Sequence, residues 1–174
     1  ACSSTSAHAT GDADALAADL RKLAMLAVPM NVRIAYEALS WGRFVNRFMD
    51  AWNVVVRADR ANLGIALDSF HVLAADSDLD DMVELDPARI FLVQLSDFMW
   101  RETPSFDERR ETARHFRVFP GEGVHSAEVA RMLRMLDDMG YRGDYSFEVF
   151  NDDYSQLPLA TVCGRRNELT TKSA

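Results

Sequence analysis

The chain has 174 residues, 48% hydrophobic and 26% charged, enough for one domain with its own apolar core. Its net charge of −8 argues against a nucleic-acid binder, which needs a basic face for the phosphate backbone, and no apolar run reaches the length of a membrane span. Cys2 and Cys163 are widely separated and outside any CxxC pattern, so free thiols in a reducing cytoplasm are expected rather than a disulfide framework or a zinc site.

Residues 1–11 are small and polar. The opening Ala1-Cys2-Ser3-Ser4-Thr5-Ser6 has neither signal-peptide character nor an initiator Met, so the interior of a longer protein is expected there. Asp12 is placed to cap a helix running to about Val28, with Leu16, Leu20, Leu23, Leu26 and Ala27 as its apolar stripe and Pro29 as its stop. A strand is predicted over 32–37. A helix follows over 41–59, where Phe44, Val45, Phe48, Trp52, Val55 and Val56 fall at helical spacing and read as core. The central strand, 63–68, is an apolar run with a polar tip. Residues 75–87 carry six acidic side chains without the glycine pattern of a calcium loop, and read as a solvated, partly helical surface.

A strand over 90–95 comes next. Residues 99–114 are charged and break the pattern, as a long loop with a helical piece over an active site would. His115 to Phe119 reads as a short strand ended by Pro120-Gly121, residues 126–139 as a helix closed by Gly140, and 144–150 as the last strand. From Pro158 the tail starts as a helix and ends polar. Strands alternating with helices imply a parallel α/β sheet with right-handed crossovers.

Ligands of parallel α/β sheets bind at the C-terminal ends of the strands. Four predicted strands end there in Glu37, Asp68, Gln94 and Glu148, with His71 three residues past Asp68. One polar strand end is common, but four in one chain point to a single site. Period-2 alternation puts Ala35 on the face of Glu37, Ala66 on that of Asp68 and Ser146 on that of Glu148, as a crowded barrel interior requires; Leu92 before Gln94 is the exception. Three carboxylates and an amide oxygen form a hard set suited to Mg²⁺ or Mn²⁺, with Co²⁺ admissible. His8 and His125, with no motif around them, read as ordinary structural histidines.

The runs Tyr36-Glu37-Ala38-Leu39-Ser40-Trp41-Gly42-Arg43, Leu67-Asp68-Ser69-Phe70-His71, Val93-Gln94-Leu95-Ser96-Asp97, His115-Phe116-Arg117-Val118-Phe119-Pro120-Gly121 and Phe147-Glu148-Val149-Phe150-Asn151 resemble the bacterial 3-dehydroshikimate dehydratases. These belong to the xylose isomerase-like (β/α)₈ barrels. The resemblance implies Glu37, Asp68, Gln94 and Glu148 as metal ligands, His71 and Arg117 as catalytic residues, and Arg117 as the grip on a substrate carboxylate. His115, two residues before Arg117, joins the substrate-binding candidates. It implies conversion of 3-dehydroshikimate to protocatechuate and water, in quinate and shikimate breakdown. Phe44 departs from the pattern, standing where many relatives have His, and the 99–112 loop is a few residues longer.

The expected architecture is one partial TIM barrel over residues 1–174, from the end of the third strand to the last helix, with the first two βα units missing. Its open edges would favour a homo-oligomer. The alternatives are a sugar or sugar-phosphate isomerase or epimerase of the same superfamily, and an inactive fragment that needs a partner chain.

Overall fold

The computed structural model describes residues 2–4 and 11–164. Among them five strands form one parallel sheet in sequence order: β1 (Cys2–Ser4), β2 (Ile34–Glu37), β3 (Leu63–Asp68), β4 (Ile90–Leu95) and β5 (Tyr145–Phe147). Between them lie α1 (Ala13–Ala27), α2 (Phe48–Ala58), α3 (Ser69–Ala74), α4 (Phe106–His115) and α5 (Ser126–Asp138), and α6 (Asp152–Ser155) follows β5. His8 and the polar end of the tail lie outside the described residues.

Local chemistry sets these boundaries. The Asp12 carboxylate accepts the Asp14 and Ala15 amides at 2.9 and 3.4 Å, and Asn31 leaves the helical region at φ 53° after Pro29. The buried stripe of α1 is Leu16, Ala17, Leu20, Ala24 and Ala27; Leu23 and Leu26, expected inside, face solvent. At the end of α2 the Arg21 guanidinium donates to the Arg57 and Ala58 carbonyls, which have no partner within the helix.

Two expectations are corrected. The helix predicted over 41–59 begins only at Phe48. Before it, Gly42 closes a tight turn onto the Leu39 carbonyl, where a side chain would collide with the Val45 carbonyl oxygen. The Asp50 carboxylate caps the true start by accepting the Asn46 and Arg47 amides. The strand expected over 115–119 is not in the sheet: His115 ends α4, and Phe116 and Val118 make only single antiparallel bridges, to Asn151 and Asp97. β5 therefore pairs directly with β4, Val93 opposite Tyr145.

The sheet divides two environments. Ile34, Tyr36, Leu63, Ile65, Leu67 and Val93 pack against α1, α2 and α5 in the main apolar core. Alternation turns Ala35, Gly64 and Ala66 to the other face, where Ala35 pairs with Gly64 and Glu37 with Ala66. Gly64 is obligatory there: a β-carbon would strike the Arg89 carbonyl oxygen and the Phe91 ring, where the β3–β4 register slips between Ile65 and Ala66. Ile34 and Tyr36 are buried, and β1 pairs along the far edge of β2. Gly64→Val should cost roughly 1–3 kcal/mol, the usual penalty for overpacking. Urea unfolding monitored by tryptophan fluorescence measures it, and an unchanged midpoint would contradict the close approach.

Candidate active site

The register aligns the polar strand ends in layers. Glu37 pairs with Ala66, two residues before Asp68; Asp68 pairs with Gln94; Gln94 pairs with Ser146, two residues before Glu148. By alternation all four side chains leave the same face of the sheet. Ligand atoms of Glu37, Asp68 and His71 lie within 4.8 Å of one another, and all three residues are buried. Glu37 and His71 line a cavity of about 310 Å³ together with Trp41, Arg117, Glu148 and Phe150 among others. A larger, more open groove of about 470 Å³ beside Phe150, Asp152 and Tyr154 contains none of these buried ligand atoms.

Asp68 has almost no contact with solvent. Its Oδ1 caps α3 by accepting the Phe70 amide at 2.8 Å, and its Oδ2 accepts Arg117 Nη1 at 2.6 Å. Ser69 Oγ donates to the Ser96 carbonyl and accepts the Ser96 amide, which locks the ends of β3 and β4 together. The turn from Asp68 into α3 swings His71 back over the sheet, with Nε2 3.8 Å from Asp68 Oδ2.

The His71 ring stands edge-on to Trp41 and Phe70, at 4.8 and 5.2 Å between centroids. Its Nδ1 receives the Ser40 amide at 3.3 Å and lies 3.1 Å from Ser40 Oγ. A backbone N–H can only donate, so Nδ1 accepts, and the neutral ring carries its proton on Nε2. Burial pushes the His71 pKa down to about 4; the Arg117 charge acts the same way and Asp68 opposes it.

Arg117 is buried, its Nε donating to the Ala113 carbonyl at 2.9 Å, its amide to the Phe150 carbonyl, and its own carbonyl accepting from Asn151 Nδ2. The guanidinium lies over Phe70 at 4.7 Å. Besides Asp68, Nη1 reaches Glu148 Oε2 at 3.1 Å, and Nη2 sits 3.4 Å from His71 Nε2. Burial would raise the Asp68 pKa, but the Arg117 charge and its hydrogen bond, with His71 adding to them, outweigh it and hold this carboxyl below the ordinary range. Glu148 moves up despite its ion pair, because burial and the Asp68 charge prevail over Arg117.

Among the described residues Gln94 Oε1 is buried with no hydrogen-bond partner, a costly state for an amide oxygen. A bare acceptor among carboxylates fits a cation, and the donor chemistry is that of a divalent metal.

The structure thus gathers Glu37, Asp68, Gln94, Glu148, His71 and Arg117, and does not bring in His115. As the last residue of α4, not a strand residue sharing Arg117's face, His115 is partly exposed and paired with Asp152 at 3.0 Å. Ser40, Trp41 and Phe150 lie within the motif runs, but nothing in the sequence marks them for a role at the site. Ser40 lies 31 residues from His71, and no spacing in the sequence reveals that contact. Asp97 is structural: fully buried, it accepts the Phe98 and His125 amides and the Ser126 hydroxyl, pinning the start of the long β4–β5 connection. His125 is structural as well, bonded to the Trp100 carbonyl and stacked near Phe98.

A family model described as xylose isomerase-like TIM barrel matches residues 3–172. The chain belongs to this family. Within the xylose isomerase-like TIM barrels, it is 45% identical over 157 residues to a 3-dehydroshikimate dehydratase of Pseudomonas aeruginosa, a match covering 90% of this chain and 24% of that protein. It is 33% identical over 139 residues to an inosose isomerase of Halalkalibacterium halodurans, covering 79% of this chain and 46% of that one. Among solved structures, the zinc-bound IOLI protein superposes with a TM-score of 0.83 at 24% identity over 98% of this chain and 61% of its own, which shows the shared fold. The chain therefore spans about a quarter to a half of the length of these curated relatives. Among the described residues no helix is long and apolar enough to cross a membrane.

With a pKa lowered from 6.5 to about 4, His71 is neutral at pH 7. As pH falls from about 6.5 towards 4 the unfolded chain takes the proton first, so this group removes stability across that window. Nitrogen-15 correlation spectra at pH 7 should show a neutral ring protonated at Nε2. A ring protonated at Nδ1 would overturn the Ser40 contact.

Proposed function

We propose that this chain carries the centre of a divalent-metal-dependent 3-dehydroshikimate dehydratase, which eliminates water from 3-dehydroshikimate to give protocatechuate. The observation that carries the reading is the bare, buried Gln94 Oε1 on the strand position opposite Asp68, whose carboxylate lies within 4.8 Å of ligand atoms of Glu37 and His71. The 45% identity to a dehydratase supports the substrate class. In this reading Glu37, Asp68, Gln94 and Glu148 hold the metal, Mg²⁺ or Mn²⁺ by their oxygen donors, with Co²⁺ tolerated. When bound, the metal supplies Lewis-acid polarisation of the ketone.

The chain's own residues supply the rest. Arg117 Nη2 and His71 Nε2–H are two donors only 3.4 Å apart, and neither can satisfy the other. Both are met when an oxygen of an anionic substrate accepts from them, which is the role proposed for Arg117 as carboxylate grip. Loss of water from a β-hydroxy ketone needs one group to take the proton beside the ketone and another to protonate the departing hydroxyl. The proton taken is the one the hydroxyl needs, so the two balance; His71, a neutral imidazole that does not give up its Nε2–H near pH 7, holds the reacting oxygen by donating a hydrogen bond. Trp41 and Phe150 narrow the cavity and exclude water from the reacting carbons. A cavity of about 310 Å³ suits a six-membered ring acid.

A second reading, isomerisation of a sugar or inosose, has a specific motive in the isomerase likeness. The same metal and proton relay would serve it without the carboxylate grip. The two separate on a substrate panel with added Mn²⁺: protocatechuate formation from 3-dehydroshikimate, and no turnover of keto-inositols or ketoses, is expected. Glu37→Gln and Asp68→Asn should each lower kcat/KM on the order of 10³-fold, the worth of several kcal/mol of transition-state stabilisation, and lower bound metal measured by elemental analysis. Turnover of a ketose with none of 3-dehydroshikimate would reverse the assignment.

A further inference from the structure

Asp68 has two oxygens, and both are committed. Oδ1 caps α3 through the Phe70 amide, and Oδ2 takes the 2.6 Å bond from Arg117 Nη1. The same Nη1 lies 3.1 Å from Glu148 Oε2 and 3.3 Å from the Glu148 carbonyl oxygen. One guanidinium nitrogen thus sits between two of the side chains proposed as metal ligands, in the manner of a cation. It cannot leave far. Nε is tied to the Ala113 carbonyl, the backbone to the Phe150 carbonyl and Asn151, and the flat of the group lies near the Phe70 and Phe150 rings, at 4.7 and 5.7 Å.

We propose that Arg117 is a resident counter-cation of the metal centre. It holds Asp68 and Glu148 in place when no metal is bound, and competes with the metal for both carboxylates. The inference rests on the metal site proposed above and adds to it a determinant of affinity. Entry of a divalent ion costs the Nη1 contacts, while the Nε anchor keeps the positive charge nearby. The centre therefore trades metal affinity for a folded, charge-balanced metal-free state. A centre without this arginine would bind metal more tightly and be less stable when empty.

The test is Mn²⁺ titration of the intact protein, with free Mn²⁺ followed by electron paramagnetic resonance, for the wild type, Arg117→Met and Arg117→Lys. Methionine keeps much of the buried volume without the charge. Its Kd should fall about ten-fold or more, the scale on which a charge at this distance shifts a binding equilibrium. Lysine, still cationic, should stay closer to the wild type. In parallel, metal-free Arg117→Met should melt below the wild type, and Mn²⁺ should raise its midpoint by more. If the wild type binds Mn²⁺ and Arg117→Met binds equally or more weakly, the competition is refuted while the metal site stands. If neither binds, the metal site itself fails and this inference with it. Should Arg117→Met not fold, a Mg²⁺-bound crystal structure of the wild type decides. The 2.6 Å Nη1–Oδ2 contact should open beyond hydrogen-bonding distance, and an unchanged contact overturns the proposal.

Discussion

A carboxylate without solvent must be neutralised by the protein, and Asp68 is such a carboxylate. Leaving it unpaired would cost several kcal/mol. The fold supplies two kinds of partner from opposite directions in sequence. The first is local: the chain turns from β3 straight into α3, so that the helix's own amide caps Oδ1. The second comes from 49 residues away, when Arg117 arrives from the end of α4. Bringing that guanidinium to that oxygen also sets Arg117 beside His71 and on the wall of the cavity.

The route of the chain between β4 and β5 serves the same end. These strands are neighbours in the sheet, yet α4, the Arg117 segment and α5 all lie between them in sequence. Asp97 pins the start of the excursion by gathering the Phe98 and His125 amides and the Ser126 hydroxyl. Arg109 pins its middle, donating to the Thr103 and Ser40 carbonyls. The second of these bonds matters most for chemistry, because the Ser40 amide fixes the His71 tautomer. The segment expected to cover an active site thus braces the proton-bearing ring through one arginine.

How much of this was legible depended on whether the cause was local. The bounds of β3 and β4 coincide with those read from the sequence, since each is an unbroken apolar run between turn signals. The start of α1 was legible in Asp12 for the same reason. Where spacing and sterics disagreed, spacing misled. Phe44, Val45 and Phe48 fall at helical intervals, but the chain makes a tight turn at Gly42 onto the Leu39 carbonyl, and α2 waits for Asp50 to cap it. Phe116 and Val118 alternate like a strand, but the Arg117 amide goes to the Phe150 carbonyl and no ladder forms. That the four polar strand ends share one face was legible because period-2 alternation is a property of the backbone. The contacts of Ser40 with His71 were not, because only tertiary structure brings together residues 31 apart.

Arginine rather than lysine at position 117 follows from the number of things asked of one side chain. Nε must anchor to Ala113, Nη1 must face Asp68 and Glu148, Nη2 must face His71, and the flat of the group must lie against Phe70. A planar fork with fixed donor directions meets all four at once; an ammonium on a flexible stem meets one or two and leaves the aromatic face unused. Charge balance points the same way. Glu37, Asp68 and Glu148 would carry three negative charges when ionised, and Arg117 returns one. The remaining two match a divalent cation, so that the filled centre would be neutral before an anionic substrate enters. The raised pKa of Glu148 belongs to this balance: burial and the facing Asp68 charge together outweigh Arg117 and push it towards keeping its proton.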